Sequence, residues 1–288
     1  MRLFIFGAGY SSQAAAQRLS SLADDIAGTT RDPGKIEQLR NAGICPVLFD
    51  GTAQALADGG MTGATHLLVS AGPEDEGDPL LAVAREMISE QMPALQWIGY
   101  YSTVGVYGDH DGEWIDETTD CAPRSRRSIQ RRQAEQSWQA IGEVRGLPVA
   151  IMRLSGIYGP GRNAFCNLQA GTARRLVKPG QVFNRIHVDD IAGATAHLAQ
   201  NGLGGIFNIT DDEPAPPQDV VAHAAELMGI EPPPETDFAT AELSPMARSF
   251  YGENKRVSNA RLKASGYTFL HPDYREALTA MWQSGNWR

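Results

Sequence analysis

The chain has 288 residues, 42% of them apolar and 20% charged, enough for one large α/β unit or two modest domains with a full core. Its 25 Lys and Arg against 34 Asp and Glu leave a net charge of −9, which argues against a general binder of nucleic acid or of anionic membranes. The three cysteines, Cys45, Cys121 and Cys166, form no Cys-x-x-Cys pair and no apolar run nears the ~20 residues of a membrane span, so the composition predicts a cytoplasmic protein without a disulfide framework.

In chain order, the first element is the apolar run Arg2–Phe6, predicted as a strand. Gly7-Ala8-Gly9-Tyr10-Ser11-Ser12 and an Ala- and Gln-rich helical stretch follow it. This is the pattern of a βα turn that binds a dinucleotide. Gly7 permits the tight turn, and Gly9 lets the backbone approach a pyrophosphate, where the free N–H groups of the helix start favour negative charge. Ser12 stands in the place of the fingerprint's third glycine and is small enough for close helix–strand packing. Gly7, Gly9, Tyr10, Ser11 and Ser12 are therefore the first candidate cofactor residues.

Short apolar runs then alternate with helical stretches. They predict further strands at residues 25–29, 46–49, 66–70, 96–100, 149–154 and 205–209, in an α/β fold with a doubly wound parallel sheet. The second strand ends Thr29-Thr30-Arg31, where an NAD site places a carboxylate for the ribose 2′-hydroxyl. Hydroxyls and a guanidinium suit a 2′-phosphate instead, so Thr30 and Arg31 favour NADP(H), with NAD(H) as the alternative. Arg31 would have no such role if it were simply a surface residue before the next helix. Asp32-Pro33 reads as the cap and first position of that helix. Asp50, after the third strand, is placed either to bind the adenine amine or to serve as an ordinary loop residue. Ala71 and Gly72, after the fourth, are small enough for the chain to pass over a cofactor.

The fifth strand leads into Tyr100-Tyr101-Ser102-Thr103-Val104-Gly105-Val106-Tyr107-Gly108, which puts hydroxyls at the sheet edge where such folds bind ligands. Three further segments follow: Arg153 to Asn163, containing Tyr158-Gly159-Pro160-Gly161-Arg162; His187-Val188-Asp189-Asp190; and Asn254-Lys255-Arg256. Asp190 reads as a charge at a helix N-terminus. From Asp211 the prolines at 214, 216, 217 and 232–234 break the βα rhythm. The expected division is a dinucleotide domain of residues 1–158 plus 186–210 and a smaller substrate domain of residues 159–185 plus 211–288. No His, Cys or Asp grouping has metal-ligand spacing, and there is no Gly-x-Ser-x-Gly elbow.

In this order the segments resemble the extended short-chain dehydrogenase/reductases, the NAD-dependent epimerase/dehydratase-like group, from Gly7 to Tyr274-Arg275-Glu276. The resemblance implies a Rossmann-type sheet with a small discontinuous substrate domain. It also implies an NAD(P)-dependent oxidoreductase or epimerase/dehydratase-like activity on a small, sugar-nucleotide-type substrate. That family uses a Ser or Thr after the fifth strand and a Tyr-x-x-x-Lys on the next helix. Ser102 or Thr103 matches the first role. Alignment on Ala134-Glu135 puts Arg127 in the Tyr slot and Arg131 in the Lys slot. A guanidinium with a pKa above ~12 cannot exchange protons near neutrality, although Arg131 can place positive charge near the cofactor ribose or phosphates.

Three readings stay open. Another proton carrier serves, with Tyr101, Tyr107, Tyr158 and His187 as candidates and Tyr107 nearest the expected edge. Alternatively the protein binds NADP(H) without hydride chemistry, as a redox-sensing or regulatory protein, or only the scaffold is retained. Tyr158, Arg162, Asn163, His187 and Arg256 are the candidate substrate contacts. The run of arginines from Arg124 to Arg132 reads as a solvated helix face or a docking face. Two such helices facing each other would bring like charges together, so monomer and homodimer both remain possible.

Overall fold

A computed structural model describes the backbone of residues 1–288 and the side chains of all but residues 245–247. The seven predicted strands are present as β1 (Arg2–Phe6), β2 (Asp25–Thr30), β3 (Cys45–Leu48), β4 (His66–Val69), β5 (Trp97–Thr103), β6 (Val149–Leu154) and β7 (Gly205–Ile209). They form one sheet in the order β7-β6-β5-β4-β1-β2-β3. Pairing is parallel between β1 and both β2 and β4, with Phe4 opposite Ala27 on one side and Leu67 on the other. It is also parallel between β2 and β3 and between β4 and β5. Chain order reverses between β1 and β4, and a crevice at that switch point is where such sheets take their ligands.

The central strands are covered on both faces, which explains their unbroken apolar runs: all four residues of β4 and all six of β6 are buried. Phe4, Phe6, Leu67, Val69, Ile98, Trp138 and Ile151 belong to one core cluster beneath them. Asp78 caps the helix Pro79–Glu90 through Leu80 N and Leu81 N, each at 3.0 Å, and its other oxygen accepts Trp138 Nε1–H at 2.9 Å. Among the described residues, no helix is long and apolar enough to cross a membrane.

The chain divides into two compact units. The first comprises residues 1–106, 123–153 and 191–207; the second comprises residues 107–122, 154–190 and 208–288. The division differs from the expected one in giving residues 107–122, 154–158, 186–190 and 208–210 to the second unit. Hydrogen bonds to the far end of the chain explain the first of these. Lys255 Nζ donates to Gly108 O at 2.5 Å, Asn254 N donates to Asp109 Oδ1 at 2.7 Å, and Trp114–Ile115 pairs in parallel with Arg256–Val257.

The second unit has its own core of Tyr158, Phe165, Ala224, Tyr274, Leu278, Met281 and Trp287. Short parallel pairs join residues 156–158 to 185–187 and residues 175–177 to 235–237. Asp190 anchors the C-terminal stretch rather than acting only at its helix start. Its carboxylate accepts Leu270 N–H at 2.7 Å, His271 N–H at 2.9 Å and the Tyr267 hydroxyl at 2.8 Å.

Candidate functional site

The ends of β1, β2 and β4 enclose a cavity of about 420 Å³ in the first unit. Gly7 has φ +89, and a Cβ there would stand 2.8 Å from Ala71 N, so only glycine lets the loop after β4 close on the turn. A Cβ on Gly9 would meet nothing within 4 Å, which leaves open backbone toward the cavity. Ser12 does more than fit: its Oγ donates to Gly7 O at 2.8 Å and accepts Gly9 N–H at 3.0 Å, stapling the turn. Gly7 N–H is held by Thr29 Oγ1 at 2.8 Å. Tyr10 begins the following helix and is partly exposed, while Ser11 is buried in it.

Thr30, Arg31, Ala71 and Gly72 all line this cavity, as expected, and so does Lys35, which sequence reasoning did not single out. Arg31 forms an ion pair with Glu74 at 2.7 Å, both side chains being half-exposed. Asp32 caps the 3₁₀ turn Pro33–Lys35, accepting Gly34 N–H at 2.9 Å, and that turn presents Lys35. Asp50 is not in the lining. Its Oδ1 accepts both Thr52 N–H (2.9 Å) and the Thr52 hydroxyl (2.6 Å), so it is a loop-capping residue.

β5 runs three residues beyond its expected end, so Tyr101, Ser102 and Thr103 are strand residues. Ser102 is buried and its Oγ donates to Glu135 Oε1 at 2.5 Å. Glu135 is fully buried. It also receives Arg153 Nε and Nη2 at 3.0 and 2.8 Å, and Arg132 Nη1 at 3.0 Å. Ser102 therefore belongs to a packed network. Thr103 is less covered; its Oγ1 accepts Gly105 N–H at 3.1 Å and keeps its own hydrogen to donate.

The first two tyrosines of the run are buried, and desolvation pushes the phenols of Tyr100 and Tyr101 upward. Tyr101 Oη bonds Thr195 Oγ1 at 2.8 Å. Tyr107, the tyrosine favoured from sequence, lies in the second unit with no exposed surface and donates to Asn208 Oδ1 at 2.8 Å. It faces the interior rather than an open edge, because the chain turns inward through Val104–Tyr107. Arg127 is exposed. Arg131 donates to Tyr101 O at 2.5 Å, lies 5.7 Å from the Tyr100 ring centre, and its Nη2 would be 3.0 Å from a Cβ on Gly72. It thus bridges the end of β5 and the loop after β4, beside the first-unit cavity. Ser128, also missed from sequence, is buried one residue past the Tyr slot and accepts the Ser125 hydroxyl at 2.9 Å.

In the second unit, Tyr158, Arg162 and Asn163 line another cavity, of about 400 Å³. Asn163 is saturated: its Nδ2 donates to Gly159 O and Trp287 O at 2.8 and 2.6 Å, and its Oδ1 accepts Cys166 N–H at 3.0 Å. Arg256 is a structural strand residue, its guanidinium bonded to Gly112 O and its backbone opposite Trp114.

His187 meets the Tyr158 ring edge-on at 5.3 Å and the His271 ring at 4.0 Å. Burial, and then His271, hold the His187 pKa down at about 4, against the opposing pull of Asp189. Asp189 Oδ2 lies 3.6 Å from both rings, and the ligand atoms of the three residues fall within 4.8 Å of one another. Linear spacing gave no sign of this group because His271 arrives from far along the chain. Asp189 N–H donates to His187 Nδ1 at 3.2 Å, taking the lone pair a cation would need, and the helix start adds positive character there.

Comparison with known proteins gives the following. Residues 80–210 match the family described as "NAD dependent epimerase/dehydratase family". A solved structure of a functionally unknown conserved protein from Silicibacter pomeroyi is 46% identical, with 99% of each chain covered and a TM-score of 0.90. Protein YeeZ of Escherichia coli is 27% identical over 94% of this chain and 97% of its own length. Two more distant structures share the fold. Human SDR39U1 with NADPH is 18% identical, with 98% and 99% of the two chains covered and a TM-score of 0.75. Thermus thermophilus UDP-glucose 4-epimerase with NAD is 21% identical, with 98% of each chain covered and a TM-score of 0.76.

Proposed function

Because the chain belongs to the NAD dependent epimerase/dehydratase family, we propose that it binds NADP(H) in preference to NAD(H) and acts as an oxidoreductase or epimerase on a small-molecule substrate. The observation that carries this reading is the first-unit cavity, lined by open glycine backbone and by Arg31 and Lys35. Solved structures of this fold carry NAD or NADPH, which supports a nicotinamide dinucleotide here. Arg31, Lys35 and the Thr30 hydroxyl favour a 2′-phosphate; of the two carboxylates in the lining, Asp32 caps the 3₁₀ turn and Glu74 pairs with Arg31.

When bound, such a cofactor supplies or accepts hydride. The residues of this chain do the rest. Thr29 and Ser12 hold the N–H groups of Gly7 and Gly9, so these glycines shape the turn and the start of the following helix faces the pyrophosphate. Arg131 holds a fixed positive charge beside Gly72, in the place the family gives to lysine, and Thr103 offers a hydroxyl hydrogen to a substrate oxygen. Neither a guanidinium nor an alcohol exchanges protons near neutrality, so Arg131 and Thr103 position groups and do not carry the proton that accompanies hydride.

A second reading has one specific observation in its favour. Tyr100, Tyr101 and Tyr107 are all buried, and an exposed Arg127 stands in the Tyr slot, as in an NADP(H)-binding regulator that performs no hydride transfer. Calorimetric titration with NADPH beside NADH tests the shared part of both readings. Selective NADPH binding is expected, whereas binding of neither nucleotide rejects both. Loss of NADPH absorbance with a panel of aldehydes, ketones and nucleotide sugars separates enzyme from regulator.

A further inference from the structure

We propose that the second-unit cavity binds a small organic anion with an apolar body, a carboxylate or a phosphate ester. The inference concerns this unit alone and does not rest on the nucleotide reading. At about 400 Å³ the cavity falls within the roughly 300–1,000 Å³ range of small-molecule sites. The chain as a whole carries a net charge of −9, yet the charged residues lining this cavity are Arg162 and Arg185, with no carboxylate among them. A positive site on a negative protein is a local choice of residues, not a reflection of composition.

The two arginines are held differently. Arg185 Nη1 donates to Phe183 O at 2.9 Å and Ala215 O at 3.0 Å, and the guanidinium lies 6.0 Å from the Tyr274 ring centre. Those bonds fix its plane and leave Nε and Nη2 for a ligand, the fork geometry that suits carboxylate or phosphate oxygens. Burial lowers its pKa against the pull of Asp211, so holding the cation here is costly and a bound anion would relieve that cost. Arg162 is exposed at the rim, where it can close over a ligand.

A third group points the same way. Tyr158 lines the cavity and its Oη is buried with no hydrogen-bond partner, a state that costs free energy unless a ligand or water supplies one. The nearby Asp211 carboxyl is not among the lining residues; burial raises its pKa and the Arg185 charge pulls it back down. Val220, Val221 and Leu278 add apolar surface to the same lining. Positive charge together with hydrocarbon describes the ligand.

The test is calorimetric titration of the full chain with benzoate, phenyl phosphate, inorganic phosphate and the neutral benzamide. At least one of the two aromatic anions is expected to bind about tenfold or more tightly than benzamide, and tighter binding of phenyl phosphate or benzoate separates phosphate ester from carboxylate. Arg162→Ala, a change at an exposed residue, should weaken that anion about fivefold, and Tyr158→Phe about threefold, both with NADPH binding unaltered. Equal binding of benzamide, full affinity in Arg162→Ala, or no anion bound at about 10 mM would overturn the proposal. Inorganic phosphate binding as tightly as phenyl phosphate would remove the apolar body from it.

Discussion

Two buried polar centres in this chain are built in opposite ways. In the first unit, the Glu135 carboxylate takes four hydrogen bonds, from Ser102, Arg132 and twice from Arg153. In the second unit, Tyr158 Oη, His187 Nε2 and Asp211 Oδ2 are each buried without a partner. A buried charge that is fully bonded holds elements in place: this one ties β5 and β6 to the helix Arg126–Arg145. Buried polar atoms left unbonded lose free energy that a ligand can restore. Ser102, which the sequence offered with Thr103 for the chemistry, is thus part of a packed network in the first unit.

The largest effect should come from breaking the satisfied centre. Glu135→Ala leaves the Arg153 guanidinium uncompensated in the interior and should cost about 3–5 kcal/mol in urea unfolding. If the loss were under ~1 kcal/mol, the network would not be holding the scaffold. Next in size is the pH response of the unsatisfied centre. The His187 pKa is lowered from 6.5 to about 4, so its contribution is complete above pH 6.5 and is lost as pH falls toward 4, where the unfolded chain binds the extra proton. This amounts to roughly 2–3 kcal/mol. His187→Asn should remove that slope relative to the parent chain, and an unchanged slope would place the titration elsewhere.

An exposed pair provides a contrast to both centres. Arg31 and Glu74 are half-exposed, so Arg31→Ala should leave the unfolding midpoint nearly unchanged. The same change should weaken NADPH by about 1–3 kcal/mol and spare NADH, whereas equal loss for both nucleotides would make Arg31 structural. The smallest effect is expected at Tyr107. Removing its bond to Asn208 in Tyr107→Phe should cost about 1 kcal/mol of stability with NADPH affinity intact. A turnover defect without a stability change would return Tyr107 to the reacting groups.

The sheet was legible because seven apolar runs separated by helical stretches admit few arrangements, and Gly7 and Gly9 marked the turn that lines the first-unit cavity. The end of β5 was not. A strand covered on both faces carries no alternation to show whether Tyr101, Ser102 and Thr103 still belong to it. The choice between Ser102 and Thr103 depended on Glu135, a carboxylate on another element whose burial no local pattern announces. Lys35 was hidden behind the capping sequence Asp32-Pro33 that positions it. The two-residue pairing of Trp114–Ile115 with Arg256–Val257 joins segments far apart in sequence, so the unit boundary and the structural role of Arg256 were out of reach.

That last pairing has a consequence for biosynthesis. A ribosome that has delivered residues 1–253 has supplied every segment of the first unit, which can bury its core while the chain is still attached. Residues 107–122 must wait, because Asn254 N, Lys255 Nζ and the Arg256–Val257 strand have yet to emerge. Until they do, Trp114 and its neighbours are an unpaired strand edge, and nascent chains should be most open there to proteolysis and to chaperone capture.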